Sequence, residues 1–162
     1  MTRTLEGGCT CGKVRYRLRR DPMITHCCHC SWCQRETGSA FVINAVIETS
    51  EVELLAGPPI VTLTPSESGK GQLIARCPDC QVAVWSHYPT AREAAAFIRV
   101  GTLDDKAAIT PDVHIFTSTK ASWVGLNDGK PAFDEFYPDA GAVWSPEART
   151  RWAAVLASRS GA

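Results

Sequence analysis

A small, mainly β domain of antiparallel strands, stabilised by zinc and closed by a C-terminal helix, is the fold class that the sequence predicts. Three observations predict it. Apolar residues fall in short, strand-length runs; turn-forming residues separate many of those runs; and most of the eight cysteines stand in tight pairs drawn from distant parts of the chain. With 162 residues and 44% hydrophobic content, the chain is long enough for one real core and too short for two large ones. A single domain over 1–162 is expected.

The strands read in order. Lys13 to Arg19 alternates basic and apolar residues, the period of a half-buried strand, with Val14, Tyr16 and Leu18 facing inward. Further runs follow at Phe41 to Ile47, Glu51 to Leu55, Ile60 to Leu63, Gln72 to Arg76, Val82 to Trp85, Phe97 to Val100 and Val113 to Phe116. Pro58-Pro59, Ser66 to Gly71 and Asn127-Asp128-Gly129 supply turn chemistry. Two places read as helical. Ser145-Pro146-Glu147 offers an N-cap and a first-turn proline, and Ala148, Trp152, Val155 and Leu156 form one apolar stripe over about 145–158. Thr90 and Glu93 have capping-box spacing, which predicts a short helical turn before Phe97.

Charge narrows the function. Seventeen basic and seventeen acidic residues, with no long run of either sign, leave no footprint for a nucleic acid or an anionic membrane. The first eight residues lack the apolar core of a signal peptide, and no window approaches a membrane span, so a cytoplasmic location is expected. In that reducing compartment Cys9, Cys11, Cys27, Cys28, Cys30, Cys33, Cys77 and Cys80 are better explained by metal than by disulfides.

Cys28, Cys30 and Cys33 form a C-x-C-x-x-C run. In an extended segment Cys28 and Cys30 share a face, and a following turn can bring Cys33 to meet them. Gly7, Gly8 and Gly12 bracket Cys9 and Cys11 in a loop suited to wrap an ion, and Cys77-Pro78-Asp79-Cys80 is a C-x-x-C knuckle. Spacing permits two assignments. Either the knuckle joins Cys9 and Cys11 and leaves Cys28, Cys30 and Cys33 as an open site, or it joins Cys30 and Cys33 and leaves Cys9, Cys11 and Cys28. Cys27 points away from its neighbours and reads as a small buried hydrophobe. His26, His29 and His87 read as core or surface histidines, and the five tryptophans as core, with Trp32, between two proposed ligands, the best exception.

With those residues in place, the chain resembles the glutathione-dependent formaldehyde-activating enzyme family, whose domain also occurs in centromere protein V. The resemblance rests on Gly8-Cys9-Thr10-Cys11-Gly12-Lys13-Val14-Arg15-Tyr16, on Cys28-His29-Cys30-Ser31-Trp32-Cys33-Gln34-Arg35 with Gly38, and on Cys77-x-x-Cys80. It continues through Arg99-Val100-Gly101-Thr102-Leu103-Asp104-Asp105 and Pro111-x-x-His114-Ile115-Phe116 to Lys120, about 5–123 in all. It implies an Mss4-like fold and two zinc ions per chain, a structural one on Cys9, Cys11, Cys77 and Cys80 and a catalytic one on Cys28, Cys30 and Cys33. Two positions depart from the family's usual pattern. Gln81 stands where a glycine usually follows the knuckle, and Arg76 where an aromatic residue is common.

What the resemblance implies about activity is a carbon–sulfur lyase or adduct-forming enzyme, acting on a thiol such as glutathione and a small aldehyde such as formaldehyde. His114, Asp104 and Asp105 match family positions and are candidates for proton transfer. The competing readings are a non-catalytic zinc module that binds a partner and a redox or metal sensor in which Cys27 takes part. Oligomeric state is left open, a homodimer being one alternative.

Overall fold

A computed structural model describes residues 5–159. Ten strands and two helices run in the order β1 (Leu5–Gly8), β2 (Arg15–Leu18), β3 (Ile24–Cys28), α1 (Ser31–Thr37), β4 (Val42–Glu48), β5 (Val52–Ala56), β6 (Ile60–Thr64), β7 (Gln72–Arg76), β8 (Ala83–His87), β9 (Ala95–Arg99), β10 (Val113–Ile115) and α2 (Pro146–Ser158). The chain is mainly β, as its alternating runs predict.

Two sheets hold the strands. β1, β2 and β5 form a small antiparallel sheet, and the order β10-β3-β4-β9-β8-β7-β6 forms a large one. Every pair in the large sheet is antiparallel except β10 with β3, which run parallel with His114 opposite Cys27 and Ile115 opposite Cys28. The connection between those two strands is most of the domain, long enough to permit the parallel return.

Packing follows from the two-residue period of β4, which is buried on both faces. Ala45 and Ile47 join Val14, Tyr16, Leu18, Ala75, Ile98 and Leu103 in a core on one side. Val42 and Val46 join Ile24, Cys28, Cys30, Cys33, Val113, Ile115, Trp144, Ala148 and Val155 in a second core on the other. The closing helix covers this second core. Ser145 caps it, accepting from the Ala148 amide, with Pro146 in the first turn. Arg151 then ties it to β4 through Glu48, at 2.8 and 2.5 Å.

Some local expectations change. Thr90 and Glu93 make no capping box: a three-residue 3-10 turn over Arg92–Ala94 follows Ala91 with no side-chain cap. Gly7 and Gly8 serve close approach within β1 rather than a turn, since a Cβ on Gly7 would lie 2.6 Å from the Thr102 carbonyl and one on Gly8 2.3 Å from that of Val14. Gly12, at φ +78°, is the glycine that turns the loop.

Candidate functional site

Four cysteines converge from two hairpins. Cys9 and Cys11 flank a tight turn closed by the Gly12 amide donating to the Cys9 carbonyl, and Cys77 and Cys80 bracket the knuckle, where the Gln81 amide donates to the Cys77 carbonyl. The Sγ atoms of Cys9 and Cys11 lie 3.5 Å apart and those of Cys11 and Cys77 3.6 Å. A zinc tetrahedron with bonds of about 2.3 Å has sulfur–sulfur edges of about 3.8 Å, so the donor set fits that ion. Lys13 and Asp79 clip the loop to the knuckle with an exposed ion pair at 2.7 Å. Bonds from the Cys11 and Val82 backbone hold the Cys80 thiol down to about 6.

The second cluster is local in sequence and buried. Cys28 ends β3, Cys30 is the N-cap of α1, and Cys33 sits in that helix's first turn, its amide donating to Cys30 Sγ at 3.3 Å. A helical turn therefore brings Cys33 back to Cys30. The three sulfurs lie within 4.8 Å of one another, and among the described residues no fourth His, Cys, Asp or Glu donor joins them. Such closely packed thiols cannot all ionise without a cation. Cys30 is the one held as thiolate, to about 3, by hydrogen bonds from Cys28 and Cys33, and Cys28 is correspondingly pushed up by Cys30 and Cys33. A hydrogen bond from Cys28 pulls Cys33 down and the charge of Arg99 adds to that pull. Cys30 and burial outweigh both and raise Cys33 to about 12.

A third group lies on the opposite face of the same strand end. Cys27, His29 and His114 are all buried, with Cys27 Sγ 3.5 Å from His29 Nε2 and that nitrogen 3.0 Å from His114 Nδ1. His114 Nε2 then meets Asp128 Oδ2 at 2.9 Å, and this bond holds the Asp128 carboxyl below the usual range. Burial, with the charges of His114 and Lys120, lowers His29 to about 4. The His29 backbone is clamped as well. Its amide donates to Ile115, and its carbonyl accepts from Gln34 at 2.6 Å and Thr119 at 3.1 Å.

Not every sequence candidate gathers here. His114 joins His29, whereas the Asp104 carboxylate takes two bonds from Arg15, at 2.8 and 2.5 Å, beside β1. Asp105 accepts from the Ala107 amide in an exposed turn. His26 is buried against the Tyr137 hydroxyl at 2.8 Å, and His87 bonds the Ala95 carbonyl at 2.7 Å, both as core histidines. Cys27 is buried, its thiol pushed up to about 12 by burial and then by Asp128. Trp85 and Trp144 are core residues, while Trp32 and Trp123 are exposed.

A cavity of about 450 Å³ lies between the end of α1 and the strands that flank the knuckle. Its lining includes Glu36 and Thr37 from α1, Val42, Arg76 and Gln81 at the knuckle, and Arg99. Arg76 pairs with Glu36 and donates to the Gln81 carbonyl at 3.3 Å. Gln81 itself has φ +61°, the left-handed conformation that suits a glycine. Sequence reading missed Asp128, which passes as turn chemistry, and quoted Arg99 within a family motif without giving it a role.

Comparison with known proteins adds three findings. The family model described as glutathione-dependent formaldehyde-activating enzyme matches residues 4–119. A Talaromyces marneffei protein bearing the same family name is 28% identical over 115 residues, covering 68% of this chain and 59% of its own length. The chain thus spans about three fifths of that curated relative. A crystal structure of a Rhodobacter sphaeroides protein superposes at a TM-score of 0.45 with 18% identity, over 65% of this chain and 97% of that one.

Proposed function

The chain belongs to the glutathione-dependent formaldehyde-activating enzyme family, and on that premise we propose that it is a zinc-dependent enzyme joining a glutathione-like thiol to a small aldehyde such as formaldehyde. Run in reverse, the same reaction is carbon–sulfur lysis. The observation that carries this reading is the three-cysteine cluster, buried and without a fourth protein donor among the described residues. Cys9, Cys11, Cys77 and Cys80 would hold a structural ion, and Cys28, Cys30 and Cys33 a catalytic one, giving two zinc ions per chain.

Charge and softness decide what the open position is for. Three thiolates on a dication leave a net charge of about −1, which makes the centre a poor acidifier of water and a better partner for a soft sulfur. When bound there, zinc supplies a Lewis-acid position that keeps a substrate thiol ionised near pH 7, where a free thiol with pKa of about 8.5 is mostly protonated. The thiolate sulfur forms a bond to the aldehyde carbon, the carbonyl π bond opens, and the oxygen takes a proton to give the hydroxymethyl thioether.

The proton's manager is assigned to the histidine chain. The Asp128 carboxylate accepts from His114 Nε2, which leaves His114 Nδ1 to accept from His29 Nε2, so each tautomer is fixed by the next partner. His29 lies between Cys28 and Cys30 in sequence, with its ring on the opposite strand face beside Cys27 and His114. Of the three sequence candidates we assign this role to His114, since the Asp104 carboxylate is committed to Arg15 and Asp105 lies in an exposed turn. A cytoplasmic, thiol-rich compartment suits such a reaction; among the described residues no helix is long and apolar enough to cross a membrane. A sensor built on Cys27 fits less well, because a buried thiol pushed up to about 12 is a poor nucleophile.

Cobalt substitution tests the proposal. Glutathione should intensify sulfur-to-cobalt charge transfer as the thiolate count at the three-cysteine site rises from three to four, and S-methylglutathione should not. Affinity should rise with pH toward the free thiol's pKa of about 8.5, because binding releases a proton. Unchanged spectra at saturating glutathione would reject it as the fourth ligand.

A further inference from the structure

Arg99 carries the one buried positive charge that the described residues leave without an acidic partner in the domain's middle. It is only 5% exposed, yet it makes no ion pair among the described residues. Its two bonds go to neutral groups, Nη1 to Asn44 Oδ1 at 2.7 Å and Nη2 to Ser86 Oγ at 2.9 Å, and its Nε has no partner. A guanidinium has five N–H donors, so most of this fork is uncommitted. Its charge reaches the Cys33 thiol, but among the described residues no carboxylate meets its free donors, and burying such a charge is costly unless an anion does.

The surroundings indicate where that anion binds. Arg99 pairs in register with Asn44 at the end of β9, and it lines the cavity that also borders α1 and the knuckle. One side of that cavity is Val42, in register with Cys28, and another is the last turn of the helix that begins at the cysteine cluster. Arg76, the other cation of the wall, is already paired with Glu36. We propose that this cavity binds the carboxylate of the thiol substrate, with the free donors of Arg99 as its anion-recognising group. This rests on the reading of the three-cysteine cluster as a thiol site and assigns the groups that would hold the rest of the molecule. An acidic thiol would be selected over a neutral one.

Calorimetry with S-methylglutathione on the zinc-loaded protein tests the cavity without requiring sulfur coordination. Arg99→Gln should weaken binding by about tenfold or more, and Arg99→Lys, which keeps charge but loses the fork, should weaken it less. Gly101 offers a second variant that leaves Arg99 alone. It lines the cavity, and a Cβ there meets nothing within 4 Å, so Gly101→Phe should fold and abolish binding by occupying the space. Wild-type affinity in either Arg99→Gln or Gly101→Phe would overturn the proposal, as would no binding to the wild type. Loss of zinc from Arg99→Gln with S-methylglutathione affinity intact would overturn it too, by making Arg99 the counter-charge of the thiolates. If S-methylglutathione binds as stated while glutathione leaves the cobalt spectrum unchanged, the thiol-site reading fails and the carboxylate site stands.

Discussion

His29 and His114 meet ring to ring, Nε2 to Nδ1 at 3.0 Å, across the one parallel pairing in the large sheet. The contact exists because β10 returns beside β3 and sets His114 opposite Cys27, one residue from Cys28. Asp128 then completes a chain of three side chains whose protons are mutually fixed. If that chain handles the substrate proton, His114→Ala should lower thiol-dependent turnover about a hundredfold, and Asp128→Ala about tenfold or more, with metal content unchanged. Elemental analysis beside steady-state kinetics checks both, and a loss of zinc in step with activity would reduce the chain to a structural role.

The two cysteine clusters should differ in what their loss does. Cys77→Ser breaks a set that joins segments 66 positions apart, and the expected result is aggregation or unfolding. Cys28→Ser breaks a set closed within one strand end and one helical turn. It should drop zinc from two ions to one and abolish thiol-dependent chemistry, while circular dichroism and most thermal stability survive. Equal collapse of both variants would make the second ion structural.

Acid should loosen the closing helix first. Burial pushes the Glu48 carboxyl up, but hydrogen bonds and charge from Arg151, with the charge of Arg20, outweigh it and hold the carboxyl below its ordinary value. A depressed carboxyl contributes stability that is present above the unfolded value of about 4.3 and is lost as pH falls through the folded one. Glu48→Gln should cost about 2 kcal/mol at pH 7 and flatten the dependence of stability on pH below about 4.5. Denaturant titrations at pH 7 and at acid pH measure it, and an unchanged acid slope would assign the loss elsewhere.

Gln81 sits in a left-handed conformation, at φ +61°, at the turn that closes the knuckle. Its side chain recovers one bond, to the Pro78 carbonyl at 2.9 Å, on an exposed edge. Relief of the backbone strain should exceed that loss, so Gln81→Gly is expected to stabilise the protein by about 1 kcal/mol. A thermal shift to lower temperature would contradict it.

Strands were legible by alternation where one face is wet, or as short apolar runs, as in the largely buried β4, β8, β9 and β10. β2 alternates, so its inward set of Tyr16 and Leu18 could be read from seven residues. β3 could not, because all five of its residues are buried, so no period shows, and Thr25 and His26 break the apolar run. β1 hides behind two glycines that are there for close approach. α1 is seven residues long and buries only Cys33, too little for a helical stripe, so the return of Cys33 to Cys30 reads in sequence as an unspecified turn. Of the site, cysteine spacing permits both groupings, the family resemblance implies one, and the meeting of β1's hairpin with the knuckle gathers that set. The histidine chain and the buried arginine were beyond spacing altogether. Each depends on strand register between distant segments, 85 positions apart for His29 with His114 and 55 for Arg99 with Asn44.

The sulfurs of Cys11 and Cys77, 3.6 Å apart in space and 66 positions apart in sequence, also set a clock on the chain's birth. Closing a loop of that length costs about 4 kcal/mol of chain entropy, and nothing local to the N-terminal hairpin supplies it. The hairpin of β1 and β2 leaves the ribosome before the knuckle, and it cannot complete its four-cysteine cluster until the knuckle has emerged. The C-x-C-x-x-C cluster needs no such wait, since its three thiols emerge within six residues. The site proposed for chemistry can therefore bind its ion early in synthesis, and the one proposed for structure is assembled late.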